Sequence, residues 1–107
     1  MSTKPVVLRE RANGDVDDAI AYYVKEHAEQ AALGFVDALE DAYALLSRHP
    51  SIGGARYAYE LDIPGLRSWP VRRFPYLIFY IERDDHIDVL RVLHGRREIP
   101  ASLQELD

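Results

Sequence analysis

Apolar side chains in the first half of the chain recur at the spacing of an amphipathic helix. A short run of β-branched and leucine residues at 5–8 predicts a first strand. Asn13 or Asp15 is placed to cap a following helix, whose first turn carries carboxylates that suit the positive end of the helix dipole. One stripe of this helix is formed by Val16, Ile20, Tyr23, Val24 and His27. The pattern therefore predicts a strand followed by a helix.

A second apolar stripe predicts a second helix that ends before Pro50. Its members are Ala32, Phe35, Val36, Leu39, Ala42, Tyr43 and Leu46. A single helix over residues 15–48 would be about 51 Å long, whereas a domain of this size has a radius of gyration of about 13 Å. We therefore expect a bend near residues 27–30 and an antiparallel helical hairpin.

The second half of the chain changes to strand-like spacing. Residues 51–65 contain Gly-Gly and Pro-Gly pairs and predict a loop in which Gly53 and Gly54 turn the backbone. Strands are predicted at 66–74, 76–81 and 87–93. Pro70 marks the first of them as an edge strand or the site of a bulge.

These elements predict an α+β fold in the order β-α-α-β-β-β. Short connections favour antiparallel neighbours, so the helical hairpin should pack on one face of a small twisted, mainly antiparallel sheet. Residues 98–107 are expected to form a short amphipathic tail. With 107 residues, the whole chain 1–107 is expected to be one domain.

Composition excludes several classes of protein. No apolar run approaches the ~18 to 20 residues of a membrane-spanning helix, and the N-terminus becomes charged too early for a secretory signal, so we expect a cytoplasmic protein without a membrane partner. The absence of cysteine excludes disulfides, thiolate metal sites and cysteine nucleophiles.

Charge is distributed unevenly along the chain. Residues 15–41 carry eight acids against one lysine, whereas residues 63–97 carry seven arginines against four acids. The net charge is −5 and the pI about 5.3, while proteins that bind nucleic acid through phosphates usually have a pI above about 9. We therefore expect no direct sequence-specific binding of nucleic acid.

Histidine and serine spacing points to neither a metal site nor a hydrolase. None of the four histidines forms an HxxxH or HExxH pair, and no serine lies in a Gly-x-Ser-x-Gly elbow. The sequence thus predicts no metal, no cofactor and no catalytic residue of these kinds.

Arginine is the more informative residue type, since eleven of the thirteen basic residues are arginine. Arginine suits bidentate recognition of carboxylate or phosphate. By period two, Arg91 shares a face with Ile87, Val89 and Leu93, so its charge must be paired, either inside the fold or by the carboxylate of a partner.

Two sequence segments carry a resemblance to a known family. Residues 66–80, LRSWPVRRFPYLIFY, are followed at residues 87–97 by IDVLRVLHGRR. The most specific parts are Pro75-Tyr76 with Tyr80 and the run from His94 to Arg97. In this order and spacing, they closely resemble the ParE branch of the RelE/ParE toxin superfamily, and the first half of the chain agrees with that family's helical hairpin.

The resemblance implies the toxin of a type II toxin–antitoxin system, with a part in plasmid stabilisation. Such a toxin forms a hetero-oligomer with a cognate, ParD-like antitoxin that wraps and neutralises it. ParE-like members poison DNA gyrase and have no established catalytic residues. RelE-like members instead cleave mRNA in the ribosome, and this activity is the alternative.

Transfer of single residues favours the ParE branch. Arg97 fits the RelE-type arginine after the last strand, but Leu77 stands where an arginine would follow Tyr76, and Leu103 stands near the place of the late tyrosine. Under the RelE alternative, Arg67, Arg91 and Arg97 would stabilise phosphate. The candidates for contact with the target or antitoxin are Arg67, Trp69, Arg73, Tyr76, Arg91, His94, Arg96 and Arg97.

The antitoxin is expected to supply an amphipathic helix and an extended acidic segment. These would bury apolar surface on the toxin and pair its arginines. A third possibility is an inactivated relative that only binds antitoxin.

Overall fold

A four-stranded sheet with helices on both faces organises the chain. The computed structural model describes residues 3–96 and 99–104. The strands are β1 (Val6–Leu8), β2 (Leu66–Pro70), β3 (Tyr76–Glu82) and β4 (Ile87–His94). The helices are α1 (Glu10–Lys25), α2 (Glu29–Arg48), α3 (Arg56–Leu61) and α4 (Ile99–Gln104). The predicted order of strands and hairpin is confirmed, with the short helix α3 added.

The strands lie in the order β1-β4-β3-β2. β2 pairs with β3 and β3 with β4 in antiparallel fashion, while β1 lies parallel to β4. β2 is an edge strand, as its proline predicts. Its outer edge is already hydrogen-bonded at Ser68, which exchanges two backbone hydrogen bonds with Gly54.

The helical hairpin bends where the sequence predicts it, although no glycine is present there. His27 adopts a left-handed conformation with φ 57°. The N–H of His27 donates to the carbonyl of Val24 and the N–H of Ala28 to that of Tyr23, which is the Schellman arrangement at a helix C-terminus. The backbone thus reverses between Lys25 and Glu29.

Helix α1 begins earlier than the capping residues indicate. It starts at Glu10, with Arg9 as the residue before it, so Asn13 lies inside the helix and caps nothing. The N–H of Arg9 donates to the carbonyl of Val89, which continues the pairing of β1 with β4 up to the residue before the helix. Tertiary pairing therefore overrides the local capping preference.

The predicted loop 51–65 is wrong over α3, whereas Gly53 lies at a bend of the backbone, as predicted. A helix of six residues is too short to show a periodicity, and it forms because Tyr57 and Leu61 pack on the sheet. Gly53 is buried, and a Cβ atom there would lie 2.6 Å from the hydroxyl of Tyr80. Close approach, rather than a positive φ, excludes any side chain at this position.

Two apolar clusters lie on opposite faces of the sheet. The hairpin core is built under α1 and α2 and includes Phe35, Leu39, Leu46, Ile78, Tyr80, Ile87, Val89 and Val92. The outer core lies under α3 and α4 and consists of Leu66, Phe79, Ile81, Leu90, Leu93, Ile99 and Leu103. Within the predicted tail 98–107, residues 99–104 form α4, whose Ile99 and Leu103 are buried; residues 98 and 105–107 lie outside the described residues.

A β-bulge changes the face on which Arg91 lies. Phe79 pairs with Arg91, but the next residue, Tyr80, pairs with Val89, so Leu90 is an extra residue. The expectation that Arg91 shares a face with Ile87 and Val89 is therefore wrong. Arg91 lies opposite Phe79 on the face of the outer core, and Val92 joins the hairpin core.

The charge of Arg91 is paired inside the fold. Its Nε and Nη2 atoms donate to the two carboxylate oxygens of Asp15 at 2.8 and 2.9 Å, and its Nη1 donates to the carbonyl of Ser102 at 3.2 Å. Asp15 also accepts the N–H of Val92 at 3.0 Å, beyond the last residue of β4 that pairs with β1. One ion pair thus joins α1, β4 and α4.

A second buried carboxylate fastens the start of α1 to β4. Asp88 accepts two hydrogen bonds from Arg9 and one from Arg83, each 3.0 Å long. Burial by itself would raise the pKa of Asp88, but the hydrogen bonds from Arg9 and Arg83 outweigh burial and lower it.

We expect Asp15→Asn to lower the free energy of unfolding by about 3 kcal/mol, because it removes the carboxylate charge that pairs with the buried Arg91. Chemical denaturation at neutral pH measures this loss. The exposed Asp17 provides the matched control, since Asp17→Asn should change the value by less than about 0.5 kcal/mol. Equal losses in the two variants would contradict the structural role of Asp15.

Asp88 should make stability depend on pH in the acid range. Because its folded pKa lies below the unfolded value of about 3.9, its contribution is present above that value and is lost as the pH falls through the folded pKa. We expect Asp88→Asn to be less stable than the parent at neutral pH and to approach it in acid. Urea denaturation as a function of pH checks this; Asp84→Asn, in the exposed turn, should follow the parent curve throughout.

Candidate functional site

An open groove lies between α2 and the turn that follows β2, and we call it the α2 groove. Its volume is about 760 Å³. The lining residues are Gly34, Asp37, Ala38, Asp41, Ala42, Leu45, Trp69, Pro70, Arg72, Arg73 and Phe74. The floor is thus apolar, one wall carries carboxylates from α2, and the other carries guanidinium groups from the turn.

A second groove, the α1 groove, lies between α1 and the end of β4. Its volume is about 720 Å³. The lining residues are Asp15, Asp18, Ala19, Tyr22, Tyr23, Pro75, Tyr76, Val92, His94 and Arg96. It forms where β4 runs past the short strand β1, so that α1 rather than another strand flanks the end of β4.

Packed aromatic rings underlie both grooves. Phe35 lies at the centre, with ring centroids 5.5 Å from Phe74 and 5.1 Å from Tyr76. Tyr23 packs against Phe74 at 5.8 Å and against Phe35 at 5.9 Å. Phe74 lines the α2 groove and Tyr76 the α1 groove, so the two surfaces share one rigid aromatic wall.

The structure divides the predicted contact residues between these grooves. Trp69 and Arg73 line the α2 groove, while Tyr76, His94 and Arg96 line the α1 groove. The guanidinium groups therefore do not converge on one groove. Arg97 lies outside the described residues.

Arg67 and Arg91 use their guanidinium groups within the fold. Arg91 is buried, with 6% of the residue exposed, and holds Asp15. Arg67 is half-buried, and its Nη1 donates to the carbonyl of Gly53 at 2.7 Å. Contact of Arg91 with a partner would require its pair with Asp15 to break.

The contact of Arg67 belongs to a small polar network around Tyr80. The Tyr80 hydroxyl donates to the carbonyl of Pro50 at 2.7 Å and accepts the N–H of Gly53 at 3.0 Å. Burial raises the pKa of Tyr80 and outweighs the opposing effects of the Gly53 hydrogen bond and the Arg67 charge. The network fastens the loop before α3 to the centre of the sheet, so the hydroxyl of Tyr80 is used inside the fold.

Tyr76 and His94 form a half-buried pair beside the α1 groove. Their rings meet edge to face with centroids 5.3 Å apart. His94 Nδ1 accepts the backbone N–H of Arg96 at 3.1 Å, which orients the imidazole and requires Nδ1 to be unprotonated. Burial, with the neighbouring Tyr23 and Tyr22, raises the pKa of Tyr76, so its phenol stays neutral and can donate.

Within residues 3–96 and 99–104, no group of three or more histidine or carboxylate side chains is arranged to hold a metal ion. Over the same part of the chain, no helix has both the length and the apolar character needed to cross a bilayer.

Several residues of these surfaces were not singled out from the sequence. Asp37, Asp41 and Phe74 of the α2 groove gave no motif, although the two aspartates are four residues apart and so share a helix face. Asp15 was interpreted as a helix cap, whereas it pairs with Arg91. The spacing of Asp15, Ala19 and Tyr22 along α1 is the signal that would have placed them together.

Comparison with known proteins agrees with this fold. Residues 6–99 match the family described as "ParE toxin of type II toxin-antitoxin system, parDE". Toxin ParE3 of Caulobacter vibrioides is 28% identical over 98 residues, covering 91% of this chain and 93% of that protein. A chain of a solved structure, "Chromosomal ParDE TA system from P. aeruginosa", matches with a TM-score of 0.70 at 19% identity, covering 86% of this chain and 96% of that chain.

The structural neighbour shares the fold, and the sequence match spans nearly all of the described sheet and hairpin. This protein belongs to the ParE toxin family of type II toxin–antitoxin systems.

Proposed function

We propose that this protein is a cytoplasmic toxin that binds DNA gyrase, traps it on cleaved DNA and blocks replication until a cognate antitoxin neutralises it. Membership of the ParE family supports the toxin role. The observation that carries the choice of gyrase over mRNA is the internal use of Arg67 and Arg91.

Cleavage of mRNA needs groups that accept a proton, stabilise a charged phosphoryl group and protonate a leaving oxygen. The ribonuclease alternative assigns the phosphate-stabilising role to Arg67, Arg91 and Arg97. Arg91 is held by Asp15, and one donor of the half-buried Arg67 is used by the carbonyl of Gly53, so neither guanidinium is wholly available to a phosphate. Leu77, in place of an arginine, packs against the outer core.

A toxin that acts by binding another protein has no such requirement. The net charge of −5 opposes binding to RNA through its phosphates but does not oppose a protein surface. Arg73 and Arg96 are exposed, one at each groove, and we assign them as contacts with the target or the antitoxin.

The α2 groove fits an amphipathic helix of the antitoxin. Trp69, Leu45 and Phe74 offer apolar surface along the groove, and Arg72 and Arg73 stand at one wall. A helix that buries leucine-like side chains on this floor and turns carboxylates toward the arginines would satisfy both.

The gyrase activity is tested with purified protein, gyrase and negatively supercoiled plasmid. We expect linear, protein-linked DNA and loss of supercoiling, because the toxin stabilises the cleaved complex. Prior addition of the antitoxin should suppress both effects.

Translating ribosomes with a reporter mRNA provide the opposing assay. Cut mRNA with no trapped gyrase would contradict the proposal and select the ribonuclease alternative. Inactivity in both assays, without growth arrest on induction, would select a relative that only binds antitoxin.

Charge reversal at the α2 groove tests the antitoxin surface. We expect Arg72→Glu to weaken the toxin–antitoxin complex by at least about ten-fold, because it replaces an attraction by a repulsion at the groove wall. Arg48→Glu makes the same charge change at an exposed site outside the groove and should change affinity less than about two-fold. Isothermal titration calorimetry measures both, and equal weakening would place the antitoxin elsewhere.

A further inference from the structure

Helix α1 presents a stripe of acidic, small and aromatic side chains to the α1 groove. Asp15, Asp18, Ala19 and Tyr22 follow one another at helical spacing, and all four line the groove. Ala19 is buried and small, so it leaves room between the carboxylate of Asp18 and the ring of Tyr22. These two side chains lie one helical turn apart on the same face.

Aromatic rings begin at the end of this stripe and continue across the groove. Tyr22 is 56% exposed and meets Tyr23 edge to face at 5.5 Å. Tyr76 and His94 continue the aromatic lining across the groove. Neutral phenol rings beside a carboxylate are the surroundings that suit an ammonium or guanidinium group, through ion pairing and cation–π attraction.

The two carboxylates of the stripe differ in their ion pairing. Asp15 is neutralised by Arg91, which lies behind it. Among the described residues, Asp18 makes no ion pair and no side-chain hydrogen bond, and it is exposed. An exposed carboxylate with no such internal partner favours a cation at this end of the groove.

We propose that the α1 groove is an interaction surface that receives a basic side chain, arginine above all, from a partner protein, between Asp18 and the rings of Tyr22 and Tyr76. Arginine is favoured over lysine because its planar guanidinium both stacks on aromatic rings and pairs with carboxylate. The site lies apart from the α2 groove, and it does not depend on gyrase being the target.

Arg96 determines the side of the α1 groove at which a cation can bind. Its side chain is exposed and reaches the groove from the end of β4, opposite α1. A bound cation is repelled by Arg96 and attracted by Asp18, which places it at the α1 side. An anion would instead be bound by Arg96 and the phenol hydroxyls. Substitution of Asp18 or of Arg96 therefore distinguishes a bound cation from a bound anion.

The test uses the full chain and three probes: a blocked glycine–arginine–glycine peptide, the matching glutamate peptide and inorganic phosphate. Amide chemical shifts are followed by NMR during each titration. We expect the arginine peptide to shift the signals of Tyr22, Tyr76 and His94, and the other two probes to leave them unchanged.

Variants assign the charge that binds. Asp18→Asn should weaken binding of the arginine peptide by about five-fold and Tyr22→Leu by a similar factor, whereas the neighbouring Asp17→Asn should leave it unchanged. Arg96→Gln should maintain or strengthen binding. Asp18, Tyr22 and Asp17 are all exposed, so these variants should retain the fold, which the NMR spectrum itself reports.

Three results would overturn the proposal. The first is binding of phosphate or the glutamate peptide at this groove, lost in Arg96→Gln, which would make it an anion site. The second is equal weakening by Asp17→Asn and Asp18→Asn, which would reduce the effect to general electrostatics. The third is the absence of any shift at Tyr22, Tyr76 and His94 with the arginine peptide.

Discussion

The rest of the structure depends on one buried ion pair at the open edge of β4. Strand β1 covers only the first residues of β4, and beyond them Asp15 accepts the backbone N–H of Val92 in place of a neighbouring strand. The same carboxylate holds Arg91, which in turn reaches the carbonyl of Ser102 in α4. A buried charge must be paired, so α1, β4 and α4 are held in one mutual arrangement.

This pairing determines what the surface offers to a partner. With Arg91 inside the fold and Arg67 on Gly53, the candidate contact residues that line the two grooves lie on either side of a shared aromatic wall. The wall is rigid because Phe35 is fully buried and contacts rings on both sides. Such a surface is suited to binding other proteins, with apolar contact for affinity and charged rims for selectivity.

The elements were largely predictable because their hydrophobic periodicity is strong. The hairpin, its bend, the three C-terminal strands and the edge position of β2 all follow from spacing and from Pro70. Helix α3 was not predictable, since six residues do not complete two helical turns. The start of α1 was mispredicted because Asn13 and Asp15 are good capping residues, and only the pairing of Arg9 with Val89 and Asp88 begins the helix earlier.

The sequence by itself determined the fold class, because hydrophobic spacing is local. Its requirement that Arg91 be paired was correct although the face assigned to Arg91 was wrong, because both faces of β4 are buried and a buried charge needs a partner. It left open whether the counter-charge is internal. Only the tertiary structure identified Asp15 as the counter-charge, because that contact joins positions 76 residues apart. The contact also depends on the bulge at Leu90, which reverses the alternation of side chains along β4. Register across a sheet arises from contacts between distant segments, and a local pattern contains no information about them.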